Sequence, residues 1–279
     1  MESYKMNHIY KASMLFSKLR NRNWTQHKPN TTTEGHNDDQ PGQDFTKGKH
    51  PKSIGVISDY DWSKNPFKYH WNSLGLRGPE PDPNADRKIL AIGNSLTLGS
   101  GVPLEDSYIY KTAKNLNADY INLSDNFVLT DIVEPAKEII KWYQPNIIYL
   151  NETRFIDASS FVAWHMVKEG NKLDNDELKD LIIHGMCNTI NMFEDTLRYY
   201  APNSKVIWDI TTSNKSSRKS FLGDGFDSQK VISSLTFPVH TFLNTDILLD
   251  LGRDGKHPGI KGNDWMSKRL VKILGEYFE

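Results

Sequence analysis

The chain has 279 residues, with 34 Lys or Arg and 35 Asp or Glu, which gives a formal net charge of -1. This length is enough for one large domain or two small ones with a sizeable core. The charge balance excludes a general attraction to nucleic acid or to an anionic membrane. No apolar stretch approaches the length of a membrane span, and the N-terminus lacks the apolar core of a signal peptide, so we expect a soluble protein.

The single cysteine, Cys187, excludes an internal disulfide and a cysteine-based metal site, and favours a reducing compartment. It lies in an amphipathic helical pattern, so we expect it to be an inert core residue. His27, His36 and His50 share no periodicity, and no H-E-x-x-H motif occurs. We therefore predict neither a metal site nor any other cofactor.

Residues 1–50 are predicted to form an N-terminal arm and a flexible linker. Residues 7–19 form either a short basic amphipathic helix or a loosely docked arm. Residues 23–51 are polar and cannot bury enough apolar surface to offset the entropy of ordering without a partner. We interpret this segment as a linker, or as an arm that binds a protein partner in a larger assembly.

Residues 51–86 are aromatic and rich in turns, and we predict that they pack on the domain that follows. Their motif N-S-L-G-L-R-G-P-E, at residues 72–80, contains an arginine, Arg77. This side chain either makes a structural ion pair or lines a substrate cleft.

Apolar runs alternate with amphipathic patterns through residues 87–279. The apolar runs predict strands at residues 88–92, 119–123, 146–150, 205–210 and 237–242. The amphipathic patterns predict helices at residues 106–116, 132–143, 176–200 and 261–278. This alternation predicts an α/β domain with a five-stranded parallel sheet and helices on both faces.

The first predicted strand of this domain ends at Gly93 and is followed by a candidate nucleophile, Ser95. Its hydroxyl would lie at the carboxyl end of the sheet, where open α/β folds place their ligands. The motif is not the G-x-S-x-G turn of the α/β-hydrolases, because Thr97 occupies the position of the second glycine.

A second candidate motif, D-G-K-H-P at residues 254–258, precedes the last predicted helix. A nucleophilic serine needs a base, and that base needs a carboxylate on its other ring nitrogen. The separation of three residues lets Asp254 reach His257 directly. The alternative interpretation is that Asp254 caps the helix and His257 lies on the surface.

These two motifs resemble the first and last blocks of the SGNH (GDSL-type) serine hydrolases. Residues 93–101, G-N-S-L-T-L-G-S-G, match G-D-S-x-T-x-G-x-G except at Asn94, and residues 254–258 match D-x-x-H-P. The motif at residues 72–80 is similar to a prelude, N-x-x-G-F-R-G-x-E, of some SGNH-like proteins. The resemblance covers roughly residues 87–279.

The resemblance implies a three-layer, flavodoxin-like α/β fold, the SGNH hydrolase fold, with an N-terminal extension. It also implies an esterase in which Ser95 is the nucleophile, His257 the general base and Asp254 the carboxylate that orients it. The supporting residues that it implies are Asn94, Thr97 and Gly99.

The family's two oxyanion blocks match less well. Phe127 stands where the second block has a glycine, and Thr153 stands where the third has an asparagine. The implied donors are an amide of Asn126 or Phe127 and a side chain of Asn151 or Thr153. Loss of one oxyanion donor costs about 2.7–4 kcal/mol, which slows an esterase without abolishing it.

Two hypotheses follow. The first is a serine esterase that removes small acyl groups, for preference O-acetyl groups on carbohydrate, because no long apolar lid is visible. The second is a non-catalytic binding or structural module of the same fold, docked through residues 1–50. We expect a cytoplasmic protein or, since the Asn- and Lys-rich composition suggests a bacteriophage source, a protein associated with the virion. A nucleotide-binding domain is disfavoured, because no G-x-G-x-x-G follows the first strand.

Overall fold

The computed structural model describes residues 28–35, 62, 64–124, 129–151, 176–212, 232–247, 249–255 and 257–279. The helix or arm predicted for residues 7–19 lies outside them, as do Asn126, Phe127 and Thr153. Within the described ranges, no helix combines the length and the apolar character needed to cross a bilayer.

The described residues form seven strands in two sheets. In chain order these are β1 (Thr31–Thr33), β2 (Tyr69–Trp71), β3 (Lys88–Gly93), β4 (Asp119–Ser124), β5 (Ile147–Asn151), β6 (Lys205–Thr212) and β7 (Val239–Leu243). Strands β3 to β7 form one parallel sheet in the order β4-β3-β5-β6-β7. This is the flavodoxin-like order, so the predicted five-stranded parallel sheet is confirmed.

The helices of the described part cover both faces of this sheet, as predicted. They are α1 (Ser95–Leu98), α2 (Tyr108–Asn115), α3 (Leu129–Tyr143), α4 (Asp176–Tyr200), α5 (Asn244–Ile247) and α6 (Ile260–Gly275), with a 3₁₀ turn at Leu104–Asp106. Helices α3 and α4 bury side chains such as Ile139 and Phe193 on one face. Helices α2 and α6 bury Tyr108 and Leu270 on the other.

The strands of this sheet, β3 to β7, carry mainly apolar residues on both sides because both faces of the sheet are covered. In β3, Leu90 and Ile92 belong to the core under α3 and α4, whereas Ile89 and Ala91 belong to the core under α2 and α6. Cys187 lies on α4 and packs, partly buried, against the first of these cores.

Strands β1 and β2 form a small antiparallel sheet at residues 31–33 and 69–71. Trp71 on β2 is buried, and its indole N–H donates to the Thr33 hydroxyl over 3.1 Å. Strand β1 lies within the segment predicted to be a linker or a binding arm. Residues 28–35 therefore pack on the aromatic stretch of their own chain.

Candidate active site

Ser95 lies at the carboxyl end of β3, where it begins the short helix α1. Asn94 is the N-cap of this helix, and its Oδ1 accepts the backbone N–H of Leu96 over 2.9 Å. Asparagine and aspartate are both favoured N-caps, so this departure from the SGNH motif keeps the capping interaction. Gly99 ends the helix in the left-handed conformation, with φ of 79°.

Gly93 allows α1 to fold back tightly onto the end of β3. A Cβ atom at this position would lie 2.1 Å from Thr97 Oγ1 and 3.1 Å from the backbone oxygen of Asn151. A side chain here would displace Thr97, which is completely buried beneath the candidate nucleophile. The glycine of the motif is therefore required by packing.

His257 connects the two predicted motifs. Its Nε2 lies 2.7 Å from Ser95 Oγ, although the two residues are 162 positions apart. Its Nδ1 is hydrogen-bonded to Asp254 Oδ2. Asp254 is 1% exposed, whereas the His257 side chain is 24% exposed. The structure thus brings the three sequence-predicted residues together, with the carboxylate buried and the imidazole reachable from solvent.

The loop that carries these residues is held at both ends. Leu251 and Pro258 form an antiparallel bridge, and the Gly252 N–H donates to the His257 carbonyl over 2.9 Å. The carboxylate that caps α6 is Asp250, which accepts the N–H groups of Lys261 at 3.1 Å and Gly262 at 3.0 Å.

Asp254 contacts His257 and does not cap α6, contrary to the alternative interpretation of the D-G-K-H-P motif. The sequence does not mark Asp250 as the cap, because the residue lies ten positions before α6 and belongs to no local motif.

Gly101 brings the serine segment against Asp254. Its φ is +85°, and a Cβ atom there would lie 3.0 Å from Asp254 Oδ1. Its carbonyl accepts the Arg253 N–H over 2.7 Å, and its own N–H donates to the Tyr69 hydroxyl over 2.9 Å. The last glycine of the motif thus contacts both the loop with Asp254 and the aromatic stretch.

A buried polar network lies beneath Ser95, on the face of the sheet covered by α2 and α6. Thr97 Oγ1 lies 2.8 Å from the Tyr108 hydroxyl and donates to Asn151 Oδ1 over 3.1 Å. The Tyr149 hydroxyl, 3.4 Å from that of Tyr108, donates to Asp209 Oδ2 over 2.9 Å. Apart from Thr97 and Asn151, these residues could not be predicted from the sequence, because single Tyr and Asp residues carry no motif.

The network ends at an ion pair in which Arg269 Nη1 lies 2.7 Å from Asp209 Oδ2. Burial raises the pKa of the Asp209 carboxyl, while Arg269 acts in the opposite direction. Burial also raises the pKa of Tyr108 and of Tyr149. The two tyrosines therefore stay neutral at physiological pH, and they act as hydrogen-bonding supports rather than as acids.

Asn151 is the one predicted oxyanion residue in the described part of the chain. It is completely buried, and its Nδ2 donates to the Asp209 carbonyl over 3.0 Å while its Oδ1 accepts from Thr97. Its side chain therefore connects β5 with β6 and with α1. Another candidate donor is the N–H of Ser95 itself, which stands at the first position of α1 and so has no acceptor within the helix.

Arg77 lies beneath the serine segment and is 1% exposed. Its guanidinium donates to the carbonyl of Leu98 over 3.0 Å and to that of Val102 over 2.6 Å, and it lies over the Tyr69 ring. It thus stabilises the backbone that follows Ser95, which is a structural role. Over the described ranges, no cluster of three or more His, Cys, Asp or Glu residues is arranged to hold a metal ion.

No protein-family model matches this sequence, and no curated protein matches it either. Among solved structures, the chain is similar to an acetyl xylan esterase from the rumen bacterium Butyrivibrio proteoclasticus, at 18% identity and a TM-score of 0.46, over 73% of this chain and 67% of that one. It is also similar to a family two carbohydrate esterase from Clostridium thermocellum, at 19% identity and a TM-score of 0.47, over 73% of this chain and 67% of that one.

A lipase from a goat rumen metagenome matches at 15% identity and a TM-score of 0.47, over 67% of this chain and 96% of that one. At these identities and TM-scores, the likeness carries no conclusion about the activity or the substrate of this chain.

Proposed function

We propose that this protein is a serine esterase in which Ser95, His257 and Asp254 hydrolyse small acyl esters. The observation that carries the proposal is the distance of 2.7 Å between Ser95 Oγ and His257 Nε2, with Asp254 on the other ring nitrogen. This is the arrangement that a serine nucleophile needs, since its base must be oriented by a third group.

In the acylation step, Ser95 Oγ attacks the ester carbonyl carbon while His257 Nε2 takes the hydroxyl proton. The negative charge moves to the carbonyl oxygen, and Asp254 stabilises the imidazolium. When the tetrahedral intermediate collapses, the bond to the alcohol oxygen breaks and His257 gives its proton to that oxygen. The alcohol leaves, and the acyl group stays on Ser95.

In the deacylation step, His257 takes a proton from water, and the water oxygen attacks the acyl carbon. Collapse of the second intermediate breaks its bond to Ser95 Oγ, which regains a proton from His257. The acid is released, and the site returns to its starting state. No metal or redox cofactor is needed for either step.

The oxyanion would be held by the Ser95 N–H and by donors that follow β4 and β5, where Asn126, Phe127 and Thr153 were predicted. Asn151 is proposed here as a support for these donors, because its amide already connects Asp209 and Thr97. Each preorganised donor contributes about 2.7–4 kcal/mol to transition-state stabilisation.

The proposed substrates are small acyl esters, and O-acetyl groups on carbohydrate are the first class to test. The reason is the lack of a long apolar segment in the sequence that would shelter an acyl chain. A second candidate function is a non-catalytic binding module. The engagement of the Asn151 side chain by its neighbours favours this alternative, since it leaves fewer groups for an oxyanion.

The two functions are distinguished by hydrolysis of 4-nitrophenyl acetate and by labelling with a fluorophosphonate. We expect Ser95→Ala and His257→Ala to lose at least about a thousandfold in kcat/KM, and Ser95→Ala to lose labelling. The matched control is Ser100→Ala, since Ser100 is buried five residues away and its hydroxyl has no hydrogen-bond partner among the described residues. Equal rates for the wild type and all variants, without labelling, would show that the protein is the non-catalytic module.

A further inference from the structure

Arg253 lies beside the candidate active site and connects its own loop to three other parts of the chain. Its Nη1 donates to the Phe67 carbonyl over 2.9 Å, and its Nη2 donates to the Glu34 carbonyl over 3.0 Å. Its guanidinium carbon lies 3.9 Å from the centre of the Phe67 ring. Its backbone N–H donates to the Gly101 carbonyl. The residue is 7% exposed, so these contacts are largely shielded from water.

Arg253 directly precedes Asp254 in the chain, so the contacts that hold Arg253 also restrict Asp254. Arg253 is held on one side by its backbone N–H, which donates to Gly101, and on the other by its side-chain contacts, so the point from which the chain continues to Asp254 is fixed. Nearby, the Trp62 indole N–H donates to the Leu251 carbonyl over 3.2 Å, which fixes the start of the same loop. The direction of the Asp254 carboxylate thus depends on the aromatic stretch and on residues 28–35.

The chemistry of arginine suits this role. Its planar guanidinium presents several N–H groups at fixed angles, so one side chain donates to two carbonyls and still stacks on a ring. Lysine offers a single point charge on a flexible stem and cannot reproduce the fork. Because the acceptors are neutral carbonyls, the interaction has directional preference that a simple ion pair lacks.

We propose that Arg253 is a positioning residue for Asp254, and that residues 28–35 belong to the active-site structure through it. This proposal rests on the proposed esterase function. It assigns a role to a segment predicted to be a linker or a binding arm, since Glu34 and Arg253 meet although they are 219 positions apart.

The first experiment compares Arg253→Gln and Arg253→Lys with the wild type on 4-nitrophenyl acetate. We expect kcat to fall at least about tenfold in Arg253→Gln with little change in KM, because misorientation of the base acts on the transition state. Arg253→Lys should recover only part of the loss. The control is Arg87→Gln, since Arg87 also donates to a carbonyl, that of Leu116, and lies over the Phe278 ring, at the opposite end of β3 from Ser95.

A second measurement does not depend on hydrolysis. The proton of the hydrogen bond between His257 Nδ1 and Asp254 should give a low-field resonance in NMR spectra of the wild type. We expect this resonance to move upfield or to vanish in Arg253→Gln and to persist in Arg87→Gln. If the wild type does not hydrolyse esters, the proposed function fails, while this resonance still decides whether Arg253 positions Asp254.

A double-mutant cycle tests the contribution of residues 28–35. Thr33→Val removes the hydroxyl that accepts the Trp71 indole N–H, and so loosens β1 on β2. If this segment acts through Arg253, the effects of Thr33→Val and Arg253→Gln on kcat will be less than additive. Should Arg253→Gln fail to fold, Arg253→Lys replaces it in the cycle.

The proposal is overturned by a folded Arg253 variant that keeps both the wild-type kcat and the low-field resonance. The part of the proposal that concerns residues 28–35 is overturned if the effects of Thr33→Val and Arg253→Gln on kcat are strictly additive. A fall in thermal stability alone, with unchanged kcat per folded molecule, shows a structural role and contradicts positioning.

Discussion

The Asp254 carboxylate contacts His257 twice, once at the backbone and once at the ring. Oδ1 accepts the His257 N–H over 3.0 Å, and Oδ2 is hydrogen-bonded to Nδ1. The first contact fixes the position of the residue, and the second favours the tautomer of a neutral imidazole in which Nδ1 carries the proton and Nε2, which faces Ser95, can accept one. In the proposed mechanism, one buried side chain therefore sets both the place and the tautomer of the base.

The change Asp254→Asn should lower kcat by about ten-thousandfold, because an amide that donates to Nδ1 favours the wrong tautomer of His257. Since Oδ1 can still accept the backbone N–H, we expect the loop to remain folded. Hydrolysis of 4-nitrophenyl acetate measures the effect, and Asp119→Asn, at the start of β4, is the matched control. A loss of less than about tenfold would contradict the proposed role of the carboxylate.

The change Gly101→Ala should destabilise the protein by about 1–2 kcal/mol, because alanine is disfavoured at a positive φ. The added methyl group also lies 3.0 Å from Asp254 Oδ1, so kcat should fall as well. Urea denaturation and ester hydrolysis measure the two effects. The control is Gly275→Ala at the end of α6, where a Cβ meets nothing closer than 3.7 Å. There, alanine should stabilise the protein by about 0.5–1 kcal/mol, and a loss at Gly275 equal to that at Gly101 would contradict this reasoning.

The change Thr97→Val should cost about 1–3 kcal/mol, because it leaves the Tyr108 hydroxyl and Asn151 Oδ1 short of a buried partner. Without these hydrogen bonds we expect α1, which carries Ser95, to shift. This shift should lower kcat by between about ten- and a hundredfold. Thr112→Val is the control, since the Thr112 hydroxyl donates mainly to the Tyr108 carbonyl within α2. Equal kcat values for both variants would show that the network does not support Ser95.

The stability of the protein should depend on the ionisation of Asp119. Burial raises the pKa of this carboxyl, although Oδ2 accepts the Tyr143 hydroxyl and the Asp82 N–H, each over 2.9 Å. The folded state therefore holds the proton more tightly than the unfolded state. The stability that protonation contributes is present below the ordinary pKa and is lost as the pH rises through the raised one.

The variant Asp119→Asn keeps an oxygen acceptor but cannot ionise. The unfolding free energy of the variant minus that of the wild type should thus increase between about pH 3 and about pH 7. Urea denaturation of both proteins across this range measures the difference. A difference that decreases with pH would show that the folded state stabilises the ionised carboxylate instead.

The sequence predicted the central sheet because both of its faces are buried. Each strand is a short run of mainly apolar residues. The structure confirms all five strands, and their ends differ from the predicted ends by one or two residues at most. Helix α1 was not predicted, because four residues are too few to show a periodic pattern. Strand β1 was missed since its three threonines, Thr31 to Thr33, carry no apolar signal, and their pairing with β2 is a tertiary effect.

The candidate site was predicted where the chemistry is local. Asp254 and His257 are three residues apart, and the serine motif is continuous, so both could be recognised from spacing. Spacing could not reveal the roles of Asp250, Arg253 and Asp209. Their partners lie on distant segments, and a lone charged residue has many possible contacts. The predictions for Asn126, Phe127 and Thr153 remain predictions, as these residues lie outside the described ranges.

The distance along the chain between Ser95 and His257 also determines when an active site can exist. They are 162 residues apart, so at about 5–20 residues per second the ribosome adds His257 roughly 8–30 s after Ser95. During this interval β3, β4 and β5 can pair, yet the proposed nucleophile, Ser95, has no base. Under the proposed mechanism, a nascent chain would therefore fold much of its sheet before its triad could assemble, and premature termination before residue 250 would yield a protein in which Ser95 is inert.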